Sequence, residues 1–72
     1  MNTQTQNYAI PTQDLTTTRV TARTLGRAAR LNMVEGGAGL ATTLWLFGLT
    51  PRCQGRVAQA VREEYAIGYS LE

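Results

Sequence analysis

The most apolar run of the chain lies between Leu40 and Leu49, and it carries Leu40, Ala41, Leu44, Trp45, Leu46, Phe47 and Leu49. These side chains fall around the whole helical circumference, so a helix here is expected to be buried on all sides. The same run, Thr42 to Phe47, also reads as a buried strand, because periodicity does not separate the two over so short a stretch. No second strand candidate exists to pair with it, which favours the helix. Downstream, Val57, Ala58, Val61 and Tyr65 form a stripe at helical spacing, with Arg56, Gln59, Arg62 and Glu63 facing the other way. This pattern predicts a helix over residues 51–66. Thr50 would cap it, Pro51 would sit in its first turn, and Gly68 would terminate the segment.

Upstream, residues 14–34 are amphipathic. Arg19, Arg23, Arg27 and Arg30 occupy one narrow sector of the helical wheel, and Val20, Leu25, Ala28, Ala29 and Leu31 spread over the rest. Asp14 is the expected N-cap, since its carboxylate suits exposed N–H groups and the positive helix end. The threonine run weakens helix propensity, and Gly26 costs about a further 1 kcal/mol. This helix is therefore expected to need a partner surface. Glycine at the density of Glu35-Gly36-Gly37-Ala38-Gly39 is expected to end it or bend it.

Residues 1–13 are rich in Asn, Thr and Gln, with Tyr8 and Ile10 the only sizeable apolar side chains after Met1 and Pro11 as an interruption. Such a stretch has too little to bury to offset its ordering entropy, so it is expected to be a disordered tail. It lacks the basic start and apolar middle of a secretory signal. The pattern as a whole predicts a small all-α protein of two or three helices, with a flexible tail over 1–13 and a single helical domain over 14–72. Val57, Val61 and Tyr65 are expected to pack on Leu40, Leu44 and Phe47.

Length and composition narrow the ways such a domain is held together. With 72 residues the buried fraction is small and stability marginal. Cys53 is the only cysteine, so an intrachain disulfide is excluded. With no histidine and one thiol, no structural metal site is expected. Self-sufficient packing, a homo-oligomer, a larger complex or lipid are the remaining routes.

The same composition argues against catalysis. The commonest general base at neutral pH is missing. Glu63 and Glu64 are adjacent and diverge on a helix. No phosphate-loop, dinucleotide-binding or nucleophile-elbow spacing occurs, and Gly36-Gly37-Ala38-Gly39 lacks the Lys-Ser/Thr that a phosphate loop requires. No catalytic residue, metal or cofactor is assigned.

Charge adds the one ligand-directed feature. The formal net charge is only +2, yet residues 15–34 hold four arginines and no acid, whereas residues 51–72 balance to zero. All cationic side chains are arginine, which keeps its charge and presents a planar donor fork to carboxylate or phosphate. A row at Arg19, Arg23, Arg27 and Arg30 fits an anionic partner, either nucleic acid or an acidic protein surface. The competing reading is a solvated face, or pairing with Glu63 and Glu64 in a helical hairpin. No aromatic residue interleaves with the arginines, so stacking on exposed bases is not expected.

The alternative is a small membrane-associated subunit. Gly36 to Pro51 is uncharged for 16 residues, short of the roughly 20 that span a bilayer. Leu40, Leu44, Trp45 and Phe47 would then serve either core packing or lipid contact. Beside them, Cys53 reads as a half-buried small side chain rather than an acylation site. The leading expectation is a non-enzymatic interaction or regulatory protein, cytoplasmic or peripheral to a membrane, that engages an anionic macromolecule or a larger complex through the arginine face.

Overall fold

A computed structural model describes residues 15–71. The expected tail and the Asp14 cap lie outside the described residues. Among these residues the fold is all-α, with α1 at Thr16–Leu31, α2 at Gly36–Leu46 and α3 at Arg56–Tyr69.

The boundaries differ from the sequence expectation for local reasons. Helix α1 starts without a side-chain cap, on the Leu15 carbonyl, which accepts the Arg19 N–H at 2.8 Å. It stops at Leu31 rather than Val34. The Val34 N–H returns to the Ala29 carbonyl at 2.9 Å and the Met33 N–H to the Arg30 carbonyl at 3.1 Å, with Met33 at φ 59°. This pair of hydrogen bonds around a left-handed residue closes a helix end, and glycine usually fills that position.

Glu35 then starts the next helix. Its backbone is extended, and its carboxylate accepts the Ala38 N–H at 2.8 Å. That hydrogen bond, with a weaker one from Gly37, holds the Glu35 carboxyl below its ordinary pKa. The glycine-rich run expected to end or bend the first helix is therefore the first turn of the second. The same pair of hydrogen bonds closes α2, here with Gly48 at φ 77° in the left-handed position: Leu49 N–H to Leu44 O and Gly48 N–H to Trp45 O, each 2.9 Å.

Thr50 and Pro51 do not start α3. Residues 50–53 form a turn, with the Cys53 N–H on the Thr50 carbonyl at 3.0 Å. The Arg62 guanidinium reaches back to the carbonyls of Pro51, at 3.1 Å, and Cys53. The helix begins only after Gly55, and it runs through Gly68, the expected stop.

Helix α1 makes its most extensive contact with α3. Arg19, Arg23, Gly26 and Arg30 meet Glu64, Gly68, Tyr65 and Tyr69 in roughly matching order, so these two helices run in the same general sense and α2 reverses between them. The contact is backbone against backbone. A Cβ on Gly26 would overlap the Tyr65 carbonyl oxygen and lie 3.0 Å from the Tyr69 nitrogen. One on Gly68 would overlap the Arg23 carbonyl oxygen and lie 2.9 Å from the Arg27 nitrogen.

Ala22, Leu44, Ala58 and Val61 form the core, with Leu40, Phe47, Leu49 and Cys53 packed against it. The expected packing holds for Val61, Leu44, Leu40 and Phe47 but not for Val57, which is exposed while Ala58 points inward. Nor is α2 buried on all sides: Trp45 and Leu46 are 59% and 68% exposed. The helix lies on the α1–α3 pair with one face, and among the described residues no further layer covers the other.

The glycine contact sets up a test in which two effects have opposite signs. Helix propensity alone makes Gly26→Ala and Gly68→Ala stabilising by up to about 1 kcal/mol each. Overpacking against backbone, which has no rotamer to yield, costs about 1–3 kcal/mol or more. Chemical denaturation should show both variants to be net destabilised. A gain in stability for either would contradict the close approach.

Candidate anion-binding groove

Helix α1 projects Arg19, Arg23 and Arg27 at four-residue intervals, which places them on one face. Opposite the first two stands Glu64, one turn before Gly68 on α3. Arg23 donates to Glu64 Oε1 from Nε at 2.9 Å and approaches it with Nη2 at 2.8 Å. Arg19 Nη1 donates to Oε2 at 3.3 Å and lies 3.7 Å from Glu63. The Glu64 side chain is only 10% exposed, so the two guanidiniums neutralise a buried carboxylate. The hydrogen bond from Arg23 is the main cause of a Glu64 pKa below its ordinary value of 4.5, with Arg19 adding to it and burial opposing it. Glu63 is more exposed and also accepts from Gln59 at 2.9 Å.

Arg30 takes a different direction. Its guanidinium lies 5.7 Å from the centre of the Tyr69 ring, a cation–π geometry. Tyr69 stacks on Tyr65 with centroids 5.8 Å apart and donates its hydroxyl to the Val34 carbonyl at 2.6 Å. The expected row of four arginines is thus divided. Three line an open groove of about 450 Å³ together with Thr16, Val20, Thr24 and Glu64, and Arg30 stands outside it. Thr16 and Arg27 make further interactions within the chain.

Leu40, Leu44, Trp45 and Phe47, expected to act together in packing or lipid contact, also divide. Leu44 is wholly buried, Leu40 and Phe47 are half-buried against the core, and Trp45 is exposed. Cys53 sits in the turn before α3, where its sulfur accepts the Thr50 N–H at 3.4 Å and the Thr50 hydroxyl at 3.6 Å. These bonds lower the thiol pKa, as does the nearby Arg62 more weakly. Among the described residues no group of three or more His, Cys, Asp or Glu side chains is placed to hold a metal, and no helix is long and apolar enough to cross a membrane.

Tyr65 holds a position that its place in the sequence does not signal beyond the apolar stripe. Its ring is buried, and its hydroxyl has no hydrogen-bond partner among the described residues. The hydroxyl occupies the space that a Cβ on Gly39 would need. Burial, followed by the neighbouring Tyr69 and Glu35, raises its pKa.

Comparison with protein-family models, with curated proteins and with solved structures returns no match for this chain.

The polar groups at this interface make two measurable differences. The Glu64 pKa is depressed in the folded state, so its stabilising effect is full above the ordinary carboxylate range and is lost as pH falls through the folded value. Thermal melts at neutral and acid pH should therefore show a smaller acid-induced drop for Glu64→Gln than for the parent. Equal drops would mean that the pair does not couple to folding. For Tyr65→Phe, removing an orphaned hydroxyl should leave stability unchanged or raise it by about 1 kcal/mol. A clear decrease would show that the hydroxyl has a partner.

Proposed function

We propose that this protein is a small non-catalytic interaction module that binds an anionic macromolecule, or an acidic surface of a larger complex, through the α1 groove. The observation that supports this reading is the convergence of Arg19, Arg23 and Arg27 on one open groove, with a single buried carboxylate opposite. The positive charge of α1 is not balanced within that helix, whose sequence contains no acid. Arginine held by a carboxylate on one side keeps donors on its other edge for a second anion.

A binding titration with labelled duplex DNA, RNA and a polyglutamate chain, at low and high salt, tests the proposal. Salt-sensitive binding to at least one probe is expected. Arg27→Ala should weaken it, and for a nucleic acid should flatten the log–log salt slope by about one unit for each phosphate no longer engaged. Arg23→Ala should weaken binding too, but it also strips a partner from buried Glu64, so its stability should fall. Arg27→Ala leaves the pairs that Arg19 and Arg23 make with Glu64 in place. No salt-sensitive binding to any probe would overturn the proposal.

A second reading, association with a membrane surface through residues 36–50, draws support from the exposure of Trp45 and Leu46 on the uncovered side of α2. Trp45 is the only tryptophan, so its emission reports on this face alone. A blue shift on adding anionic vesicles is the expected result of this reading, and unchanged emission would remove it.

A further inference from the structure

Resting on the anionic-partner reading, we infer that Glu63 is a competitor built into the groove: its carboxylate occupies Arg19, and an anionic ligand binds by taking Arg19 from it. The fold commits the cations of this groove to different degrees. Arg23 donates Nε to Glu64 Oε1 at 2.9 Å and brings Nη2 to the same oxygen at 2.8 Å. The Glu64 side chain is 10% exposed, so drawing Arg23 away would strip a buried charge of its closest partner. Arg27 makes an interaction of its own within the chain.

Arg19 is held differently. Its Nη1 lies between two carboxylates, 3.3 Å from Glu64 Oε2 and 3.7 Å from Glu63 Oε1. The longer distance is beyond a hydrogen bond, and the Arg19 and Glu63 side chains are 42% and 50% exposed. An exposed pair of this kind contributes little to folding. Glu64 does not depend on Arg19 alone, because Arg23 makes the shorter contacts with it. The Arg19–Glu63 contact is therefore the one that yields to a ligand at least cost.

Glu63 is nevertheless kept in place. Gln59, one turn earlier on α3, donates Nε2 to Glu63 Oε2 at 2.9 Å, and the other carboxylate oxygen is the one beside Arg19. At this end of the groove Arg19 and Arg23 face Glu63 and Glu64, two cations against two anions, with no formal charge left over. An incoming carboxylate or phosphate meets an Arg19 that is already neutralised and a like charge next to it. Affinity is then lower than the arginines alone would give.

The test titrates the whole chain in separate arms with a labelled polyglutamate and a labelled duplex DNA, which distinguish a carboxylate from a phosphate ligand. Glu63→Gln keeps the shape of the side chain and removes its charge. It should bind about three- to tenfold more tightly than the parent at low salt, with an unchanged melt, and the gain should shrink at high salt. Loss of a negative charge acting only through the general field would give the same gain whether or not Arg19 is present. A second background decides between the two: in Arg19→Ala, where Arg23 keeps Glu64 paired, the Glu63→Gln change should alter affinity by less than about twofold. Binding by Glu63→Gln that is equal to or weaker than the parent's, or an equal gain with and without Arg19, would overturn the competitor and leave the anionic-partner reading in place. Binding of neither polyanion by the parent or by Glu63→Gln would overturn both.

Discussion

At Gly26 and Gly68, α1 and α3 approach each other backbone to backbone, and this contact fixes where the other side chains can go. Each glycine faces backbone atoms of the other helix, and no side chain fits between them. The protein has little else to hold these helices. Leu44 and Val61 are the largest fully buried side chains, and beside them the buried apolar residues are Ala22, Ala58, Ala60 and Tyr65. A chain this small gains stability from the number of close contacts rather than from a thick apolar interior, and dispersion falls steeply once backbones separate by even a fraction of an ångström. Tyr65 belongs to the same economy of space. Its ring is buried at the interface, and its hydroxyl lies against Gly39 of α2 with its hydrogen bond unmade.

The electrostatics of the groove follow from that contact. Glu64 precedes Gly68 by one turn, and Arg23 precedes Gly26 by three residues. Bringing the glycines together therefore brings the carboxylate beneath the arginines. Without them, Glu64 would be a buried and unpaired charge, among the more costly things a small fold can carry. Arg19 and Arg23 thus have a structural duty as well as a surface one. Arg27, farther along the groove, makes an interaction of its own within the chain. Arg30 is drawn to the face of Tyr69 and leaves the row.

Much of the fold is legible in the sequence. The period of the apolar residues marks the helices around Val20 and Val61, and the lack of a pairing strand marks the one around Leu44. Boundaries are harder, because they depend on hydrogen bonds that composition does not encode. Glu35 caps a helix although it is not a usual capping type. Met33 takes a left-handed turn that glycine normally fills, so α1 ends without its usual mark. Pro51, a good helix start by type, is held in a turn by Arg62, a residue of the following helix. Gly26 and Gly68 escape the sequence for a deeper reason. Propensity is a property of one helix, and each of these glycines is chosen by the other helix. The arginine row is legible as a row, and pairing with Glu63 and Glu64 stands among its readings. Its division between groove and Tyr69 is not, since that requires knowing which face α3 covers.

Proton contacts across the α1–α3 pair report directly on its close approach. In an NMR spectrum of the folded protein, nuclear Overhauser peaks should link the Gly26 α-protons to the Tyr69 amide and the Gly68 α-protons to the Arg27 amide, because a Cβ at those glycines would lie 3.0 Å and 2.9 Å from the respective nitrogens. Both peaks present is the predicted result. Well-dispersed spectra in which neither peak appears would mean that the helices meet elsewhere, and the placement of Glu64 beneath Arg19 and Arg23 would fall with the contact.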